Sequence, residues 1–252
     1  IKMISHIIKI GTDTDSKDII LDFFSGSAPT GHATIAQNFN DKGNRKFILV
    51  QLPEPLKKGE KSIKTIADLG KSRIKNVIKK IEEERAAQTK EIQSALPGMA
   101  KPLPDLDLGF KVFKLDRSNF KVWDGSKVDA SEEEIIRQLA LFVEHIDPDS
   151  SQENILYELL LKAGFMPTEK VEKRVLANKT LYSISDGALL ICLEDEITRE
   201  LIDAVAEVEP LQFICLDRGF KGNDQLKANA VQTFAARNQG RDKAEQIVFR
   251  TV

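Results

Sequence analysis

The sequence holds few of the residues that build metal centres or disulfide frameworks. Its 252 residues include 2 cysteines and 3 histidines, with no close spacing among them, so neither a zinc site nor another metal site is expected. Cys192 and Cys215 each lie inside an apolar run. This placement predicts two buried, reduced thiols on strands.

Long apolar runs and an excess of charge of one sign are also missing. No run approaches the ~20 residues that a membrane-spanning helix needs, and no signal peptide is visible, so we expect a cytoplasmic protein with no membrane partner. The 37 basic and 39 acidic side chains give a net charge of −2; DNA binding would therefore need a local basic patch. The first residues already have a helical pattern, from which we expect a fragment of a longer protein.

The most informative stretch is residues 18–33. Apolar residues 19–21 predict a buried parallel strand, residues 25–28 a tight turn, and Pro29 or Thr30 the start of a helix. In such a turn, backbone N–H groups and the positive end of the helix point at a ligand.

The surrounding residues extend this pattern. A helix ends at Gly11, and a second apolar strand lies at 47–50, so the first 55 residues predict the βαβ arrangement of a doubly wound α/β domain. Residues 56–62 are predicted as a basic loop, and alternation over 109–115 predicts a third strand.

A long helix is predicted after the loop, capped by Thr65 or Ser62 and running to about residue 84. Its polar face carries five basic residues: Lys71, Arg73, Lys75, Lys79 and Lys80. A solvated helix face is the ordinary interpretation. Contact with a DNA backbone is the alternative.

The composition changes near Ser131, where a second α/β unit begins. Helices are predicted at 131–143, from Ser150 or Ser151 through 161, at 197–208 and at 223–237, and strands at 181–184, 188–193, 211–216 and 246–251. We therefore expect two domains, 1–127 and 128–252, of ordinary size.

Four stretches together resemble the modification (Mod) subunit of type III restriction-modification systems, a family of adenine-specific DNA methyltransferases. In chain order they are Asp22-Phe23-Phe24-Ser25-Gly26-Ser27 with Thr30-Gly31-His32-Ala33, then residues 45–54, 110–120 and 215–227. The glycine motif alone is a weak signal, but the four stretches in this order are specific, and the resemblance covers essentially the whole chain.

The resemblance implies a fold, a reaction and partners. The fold would be a partial Rossmann-like methyltransferase domain that uses S-adenosylmethionine, plus a smaller carboxyl-terminal α/β domain. The reaction would move a methyl group from S-adenosylmethionine to N6 of adenine in DNA. The partners would be DNA, a second copy of the chain in a homodimer, and the restriction (Res) subunit.

The catalytic part of the family's site is missing from this sequence. In the family an Asp-Pro-Pro-Tyr motif and the target-recognition region precede the cofactor motif, whereas here no Pro-Pro dipeptide occurs and Asp22 lies close to the start. That motif orients a poorly nucleophilic amine and holds the flipped base. Without it nothing positions the adenine amine for attack on the methyl group. We therefore expect no catalytic residues in this chain and no activity of the chain alone.

The resemblance assigns cofactor binding to seven residues: Asp22, Phe24, Ser25, Gly26, Ser27, Thr30 and Gln51. Phe24 would pack on the cofactor's adenine or its sulfonium arm, or else be a core aromatic. Asp22 would accept a hydrogen bond from the cofactor's amino group, or else be a helix-cap or loop partner. Gly26 would let the backbone approach the ligand. Gln51 ends the second strand, where the family usually presents an acid to the ribose.

Ala28-Pro29 depart from the family pattern, which has glycine and threonine there. If the position needs a positive φ, alanine costs roughly 1 kcal/mol or more. If it needs close approach, the methyl group occupies ligand space. Pro29 suits the first helical position but restricts Ala28 to extended geometry. We expect weak or absent cofactor binding.

Two other functions remain as alternatives. The second domain would act as a non-catalytic module for dimerisation or assembly of a restriction-modification complex. A Rossmann dehydrogenase fits poorly, because the turn lacks the Gly-x-Gly-x-x-Gly spacing and Gln51 replaces the expected acid.

Overall fold

The structure is a computed structural model and describes residues 1–60, 62–95, 106–121, 131–133, 136 and 146–252. The chain divides into two compact units, Ile1–Phe110 (unit 1) and Lys111–Val252 (unit 2). Both units combine helices with strands, which confirms the predicted α/β class. The predicted boundary between residues 127 and 128 lies outside the described residues and stays a prediction, as does most of the helix predicted at 131–143.

Unit 1 contains the predicted strand, helix and second strand. Its elements are α1 (Lys2–Gly11), β1 (Ile19–Asp22), α2 (Pro29–Asp41), β2 (Lys46–Leu49), β3 (Pro55–Glu60), β4 (Ile63–Thr65) and α3 (Ile66–Ala95). Strands β1 and β2 pair in parallel, with Leu21 beside Ile48. The βαβ prediction for this stretch is confirmed.

Two predictions for this part of the chain are wrong. The residues predicted as a basic loop at 56–62 largely belong to the antiparallel hairpin of β3 and β4. The third strand predicted at 109–115 has no regular secondary structure. Of its apolar residues only Phe110 packs on the core of unit 1. Val112, Phe113 and Leu115 are exposed, so the alternation does not mark a strand with one buried face.

Helix α3 begins as its sequence predicts. The N–H of Asp68 donates to Thr65 Oγ1 (3.1 Å) and the N–H of Thr65 donates to Asp68 Oδ2 (3.0 Å), so the two residues satisfy each other in a capping box. The helix continues to Ala95, beyond the predicted end near 84. Its buried stripe joins α2 in one apolar cluster: Ala28, Ile35, Ile74, Val77 and Ile81.

The sheet of unit 1 is covered on one face. Phe47 and Leu49 of β2 pack on the apolar cluster. On the opposite face Ile19, Leu21 and Ile48 are 50%, 60% and 38% exposed. The strand predicted at 19–21 is therefore present, but the prediction that it is buried is wrong, because no described element of unit 1 covers that face.

Unit 2 is built on a five-stranded sheet in the order β5-β6-β7-β8-β9. Its elements are α4 (Gln152–Lys162), β5 (Val171–Leu176), β6 (Lys179–Ile184), β7 (Leu189–Cys192), α5 (Arg199–Val208), β8 (Gln212–Cys215), a 3-10 turn (Asp217–Phe220), α6 (Asp224–Arg237) and β9 (Val248–Thr251). Strands β5, β6 and β7 are antiparallel, and β7, β8 and β9 are parallel. Ser151 caps α4 as predicted. Strand β5 was not predicted, because four of its six residues are exposed at the sheet edge.

The sheet of unit 2 carries buried apolar residues on both faces. All four residues of β7 are buried. Helix α4 packs on one face, and α5 and α6 pack on the other. Cys192 and Cys215 lie side by side on β7 and β8 as free, buried thiols, which confirms the prediction. Burial raises the pKa of both, so neither is a ready nucleophile.

Candidate functional site

The turn at residues 23–28 lies at the carboxyl ends of β1 and β2. The N–H of Val50 donates to the carbonyl of Asp22 (2.8 Å), and the N–H of Ser25 donates back to the carbonyl of Val50 (3.1 Å). Ser25 is buried, and its hydroxyl also reaches the Val50 carbonyl (3.3 Å). These bonds continue from the end of the parallel pairing and fix the start of the turn against the end of β2.

Gly26 gives the turn its conformation. Its φ is +51°, in the left-handed region that glycine adopts without steric cost. A Cβ at this position would meet nothing within 4 Å, so this side of the turn is open. The Gly26 N–H donates to Gln51 Oε1 (2.7 Å). An approaching ligand would therefore meet bare backbone here.

Ala28 also has a left-handed conformation, with φ 60° and ψ 42°. The expectation that Pro29 would hold it extended is wrong: the Ala28 N–H closes the turn by donating to the Ser25 carbonyl (2.7 Å), and Pro29 takes the first helical position of α2. Ala28 is 4% exposed within the apolar cluster of unit 1. Its departure from glycine therefore strains the backbone, while its methyl group packs in the core.

The carboxylate of Asp22 is engaged within the turn. The Phe24 N–H donates to Oδ1 (3.2 Å), and the Thr30 hydroxyl donates to Oδ2 (2.5 Å). Asp22 thus joins the end of β1 to the first turn of α2, which is the loop-partner role named as the alternative for this residue. Each oxygen keeps a lone pair for a further donor.

Phe24 points away from the core. It is 81% exposed and Phe23 is 63% exposed, with their ring centroids 5.0 Å apart at an interplanar angle of 54°. The interpretation of Phe24 as a core aromatic is wrong. An exposed ring beside an open glycine turn is available for stacking on a planar ligand.

Helix α3 lies behind the turn. A Cβ at Gly70 would be 3.3 Å from the Ala28 Cβ and 3.5 Å from the Gly26 carbonyl oxygen. One helical turn later, Arg73 Nη2 donates to Ser27 Oγ (3.1 Å). Sequence reasoning assigned Arg73 to a basic surface, and no sequence signal distinguished it from the neighbouring lysines.

Three other basic residues of α3 pair with acids of the same helix. Lys71 lies 2.7 Å from Asp68, and Lys79 lies 3.8 Å from Glu83. Lys80 pairs with Glu84 in the same way. These pairs neutralise much of the face, which favours a solvated surface over a DNA contact.

His32 lies in the first turns of α2, near Arg73. Burial, and then the guanidinium of Arg73, lower the pKa of His32, so the imidazole is neutral at pH 7. Its Nδ1 is buried without a hydrogen-bond partner in the described part of the chain.

The structure brings five of the seven predicted site residues into one hydrogen-bonded group: Asp22, Ser25, Gly26, Thr30 and Gln51. Ser27 faces α3, and Phe24 points outward. Within the described ranges, no cluster of acidic, histidine or cysteine side chains could hold a metal ion, and no helix is both long and apolar enough to cross a bilayer.

Comparison with known proteins gives three curated relatives. The EcoP15I Mod subunit of Escherichia coli, from a type III restriction-modification enzyme, is 25% identical over 246 residues, which cover 93% of this chain and 33% of that protein. The resemblance to type III Mod subunits is confirmed. The StyLTI Mod subunit of Salmonella typhimurium is 32% identical over 56% of this chain and 20% of its own length.

The EcoPI Mod subunit of Escherichia phage P1 is 37% identical over 32% of this chain. The chain spans a third or less of the length of each of these Mod subunits. No family model matches the chain.

Proposed function

We propose that unit 1 is the S-adenosylmethionine-binding half of an adenine-specific DNA methyltransferase, in a partial Rossmann-like fold. The observation that carries this proposal is the open turn at the carboxyl ends of β1 and β2, which leads directly into α2. In doubly wound folds, ligands bind at this edge of the sheet, where helix N–H groups are free to donate. The similarity to Mod subunits supports the same assignment.

Each residue of the turn has a role in this proposal. Phe24 stacks on the adenine ring, because its face is exposed at the mouth of the turn. Gly26 presents bare backbone to the ligand. Asp22 accepts a hydrogen bond from the cofactor's amino group while it also accepts one from the Thr30 hydroxyl. Because Ala28 keeps its methyl group in the core, it does not block the site. Its strained backbone destabilises the conformation of the turn that would bind ligand, and we expect weak affinity.

Methyl transfer itself would need groups that this sequence does not carry. The exocyclic amine of adenine is a poor nucleophile, and the Asp-Pro-Pro-Tyr motif that orients it in the family does not occur here. We propose that the chain binds cofactor without methylating DNA on its own. Because DNA is the proposed substrate, a cytoplasmic location belongs to the same proposal.

For unit 2 we propose a role in assembly, through a homodimer or contact with the Res subunit. Its thiols are buried, and charged side chains at the carboxyl edge of its sheet pair with one another, such as Glu196 with Lys179 and Lys221. These groups are not available for chemistry. Light scattering after size exclusion is the test, and a monomer at high concentration would contradict the homodimer.

Calorimetry tests the proposal for unit 1. The chain is titrated with S-adenosylmethionine, S-adenosylhomocysteine and, as a control for the dehydrogenase alternative, NAD⁺. We expect one weak site for the first two ligands and none for NAD⁺. Phe24→Ala should weaken binding by about tenfold or more, as loss of one stacked ring does, whereas Phe113→Ala in unit 2 should not. Binding of NAD⁺ alone would contradict the proposal.

A further inference from the structure

Arg73 differs from the other basic residues of α3 in what it contacts. Lys71, Lys79 and Lys80 pair with acids of their own helix. None of the ion pairs between described residues involves Arg73, which is partly buried and donates from Nη2 to the neutral hydroxyl of Ser27 (3.1 Å). Its guanidinium therefore acts on the glycine turn.

The backbone of α3 is close enough for this contact to be rigid. Gly70 lies directly behind the turn, since even a methyl group there would be 3.3 Å from the Ala28 Cβ. Arg73 is three residues further along the same face of the helix. The turn thus has a fixed support at Gly70 and a hydrogen-bonded tether at Ser27.

Gln51 holds the turn from the other flank. Its Oε1 accepts from the Gly26 N–H (2.7 Å), and its Nε2 donates to the Leu52 carbonyl (3.1 Å). Both ends of the carboxamide are therefore engaged by the protein. A carboxamide oxygen has two lone pairs, so beside the Gly26 N–H the Oε1 atom keeps one acceptor position for a ligand hydroxyl.

The turn needs such restraints because its backbone is strained. Ala28 has φ +60° without being glycine, and residues in such conformations persist where the surroundings over-determine them. We propose that Arg73 and Gln51 are positioning residues that clamp the turn at Ser27 and Gly26 in its ligand-ready conformation. The identity of the ligand rests on the proposed function of unit 1. The clamp itself rests on the hydrogen-bond geometry of Arg73 and Gln51.

Variants of the full chain test the clamp by two independent measurements. Amide hydrogen exchange at Gly26 and Ala28, whose N–H groups are both hydrogen-bonded within the turn, is followed by NMR and reports the turn itself. Titration with S-adenosylhomocysteine reports binding. We expect Arg73→Ala and Gln51→Ala each to speed exchange in the turn and to weaken binding by about tenfold, the effect of one lost hydrogen bond. Lys75→Ala, an exposed site on the same helix, is the matched control.

Conservative variants separate positioning from packing. Arg73→Lys keeps one donor and should restore most of the binding and the slow exchange, and Ser27→Ala should add nothing to Arg73→Ala. Gln51→Glu offers one oxygen to Gly26 and a second to the ligand, so binding should equal or exceed that of the wild type. The same midpoint of urea unfolding in all variants would exclude a general loss of folding.

The outcomes distinguish the clamp from the proposed function. If the turn opens in the alanine variants but the wild type binds neither S-adenosylmethionine nor S-adenosylhomocysteine, the clamp stands and the cofactor proposal fails. If the wild type binds and the alanine variants bind equally well with unchanged exchange, the clamp is overturned. Equal losses in Lys75→Ala would overturn it too.

Discussion

Both units contain parallel strands joined through a helix, but only in unit 2 are both faces of the sheet covered by apolar residues. In unit 2 a five-stranded sheet has apolar clusters on both faces, and its central strand β7 is wholly buried. In unit 1 two parallel strands carry helices on one face, while Ile19, Leu21 and Ile48 are half-exposed on the other. Parallel sheets are normally covered on both faces, so unit 2 carries its own stability and unit 1 has a smaller core.

The edges at which the parallel strands end also differ, because that edge is filled in unit 2 and open in unit 1. In unit 2 this edge is filled by ion pairs, for example Arg218 with Asp195 (2.8 Å). In unit 1 the edge is an open glycine turn beside an exposed Phe24. The same end of a sheet is therefore occupied by structural ion pairs in unit 2 and left open in unit 1.

Matched leucine substitutions should show the contrast most strongly. Leu190 on β7 is fully buried, whereas Leu21 on β1 is 60% exposed. Leu190→Ala should cost roughly 2–5 kcal/mol of unfolding free energy, and Leu21→Ala less than about 1 kcal/mol. Urea unfolding followed by circular dichroism measures both. Similar losses would mean that the exposed face of β1 is covered in solution.

A second contrast compares a buried ion pair with an exposed one. Arg45 in unit 1 is buried and lies 3.0 Å from Asp41, with Thr12 and Asn38 as further hydrogen-bond partners. Asp41→Ala leaves that guanidinium without its acid and should cost about 2–3 kcal/mol.

The exposed pair of Asp195 and Arg218 in unit 2 is the control for that experiment. Asp195→Ala should cost less than about 1 kcal/mol, measured in the same urea series. An equal effect of Asp41→Ala and Asp195→Ala would show that the buried network of unit 1 adds little.

Acid should weaken the two units in different pH ranges. The lowered pKa of His32 means that folded unit 1 favours the neutral imidazole, so its contribution is complete above the ordinary pKa of 6.5 and is lost as the pH falls through the lower folded value. In unit 2, although partial burial opposes it, hydrogen bonds from Lys162, Ser118 and Asn119 lower the pKa of Glu158 to about 2. That contribution is complete above 4.5 and is lost towards pH 2.

Hydrogen exchange of each unit between pH 7 and pH 3 measures the pH at which that unit begins to lose stability. His32→Gln should flatten the decline of unit 1 below pH 6.5. Glu158→Gln should lower the stability of unit 2 by roughly 1–3 kcal/mol at neutral pH and remove its decline below pH 4.5. A decline of unit 2 that begins near pH 6.5 would contradict the assignment.

The smallest effect compares two alanines with positive φ. Ala177, with φ 46°, is exposed in the hairpin between β5 and β6, whereas Ala28 is buried. Ala177→Gly should stabilise unit 2 by roughly 0.5–1 kcal/mol through relief of strain. Ala28→Gly gives the same relief but loses a buried methyl group worth about 0.8 kcal/mol, so its net effect should be close to zero. Thermal unfolding decides whether the two differ.

The sequence predicted those features that depend on neighbouring residues. The β1 strand, its turn and α2 followed from an apolar run, a glycine and a helix-starting proline, and the caps Thr65 and Ser151 were identified from their side chains. Contacts across the chain were not predictable in the same way. The Arg73 contact with Ser27 joins residues 46 apart, and nothing in the local pattern of α3 marks it.

NMR titration of the labelled full chain with S-adenosylhomocysteine tests the central assignment most directly, because it locates the ligand as well as detecting it. We expect the amide shifts to concentrate at residues 22–30 and at Gln51, with unit 2 unchanged. Shifts spread over unit 2, or no shifts at millimolar ligand, would contradict the assignment of the glycine turn as a cofactor site.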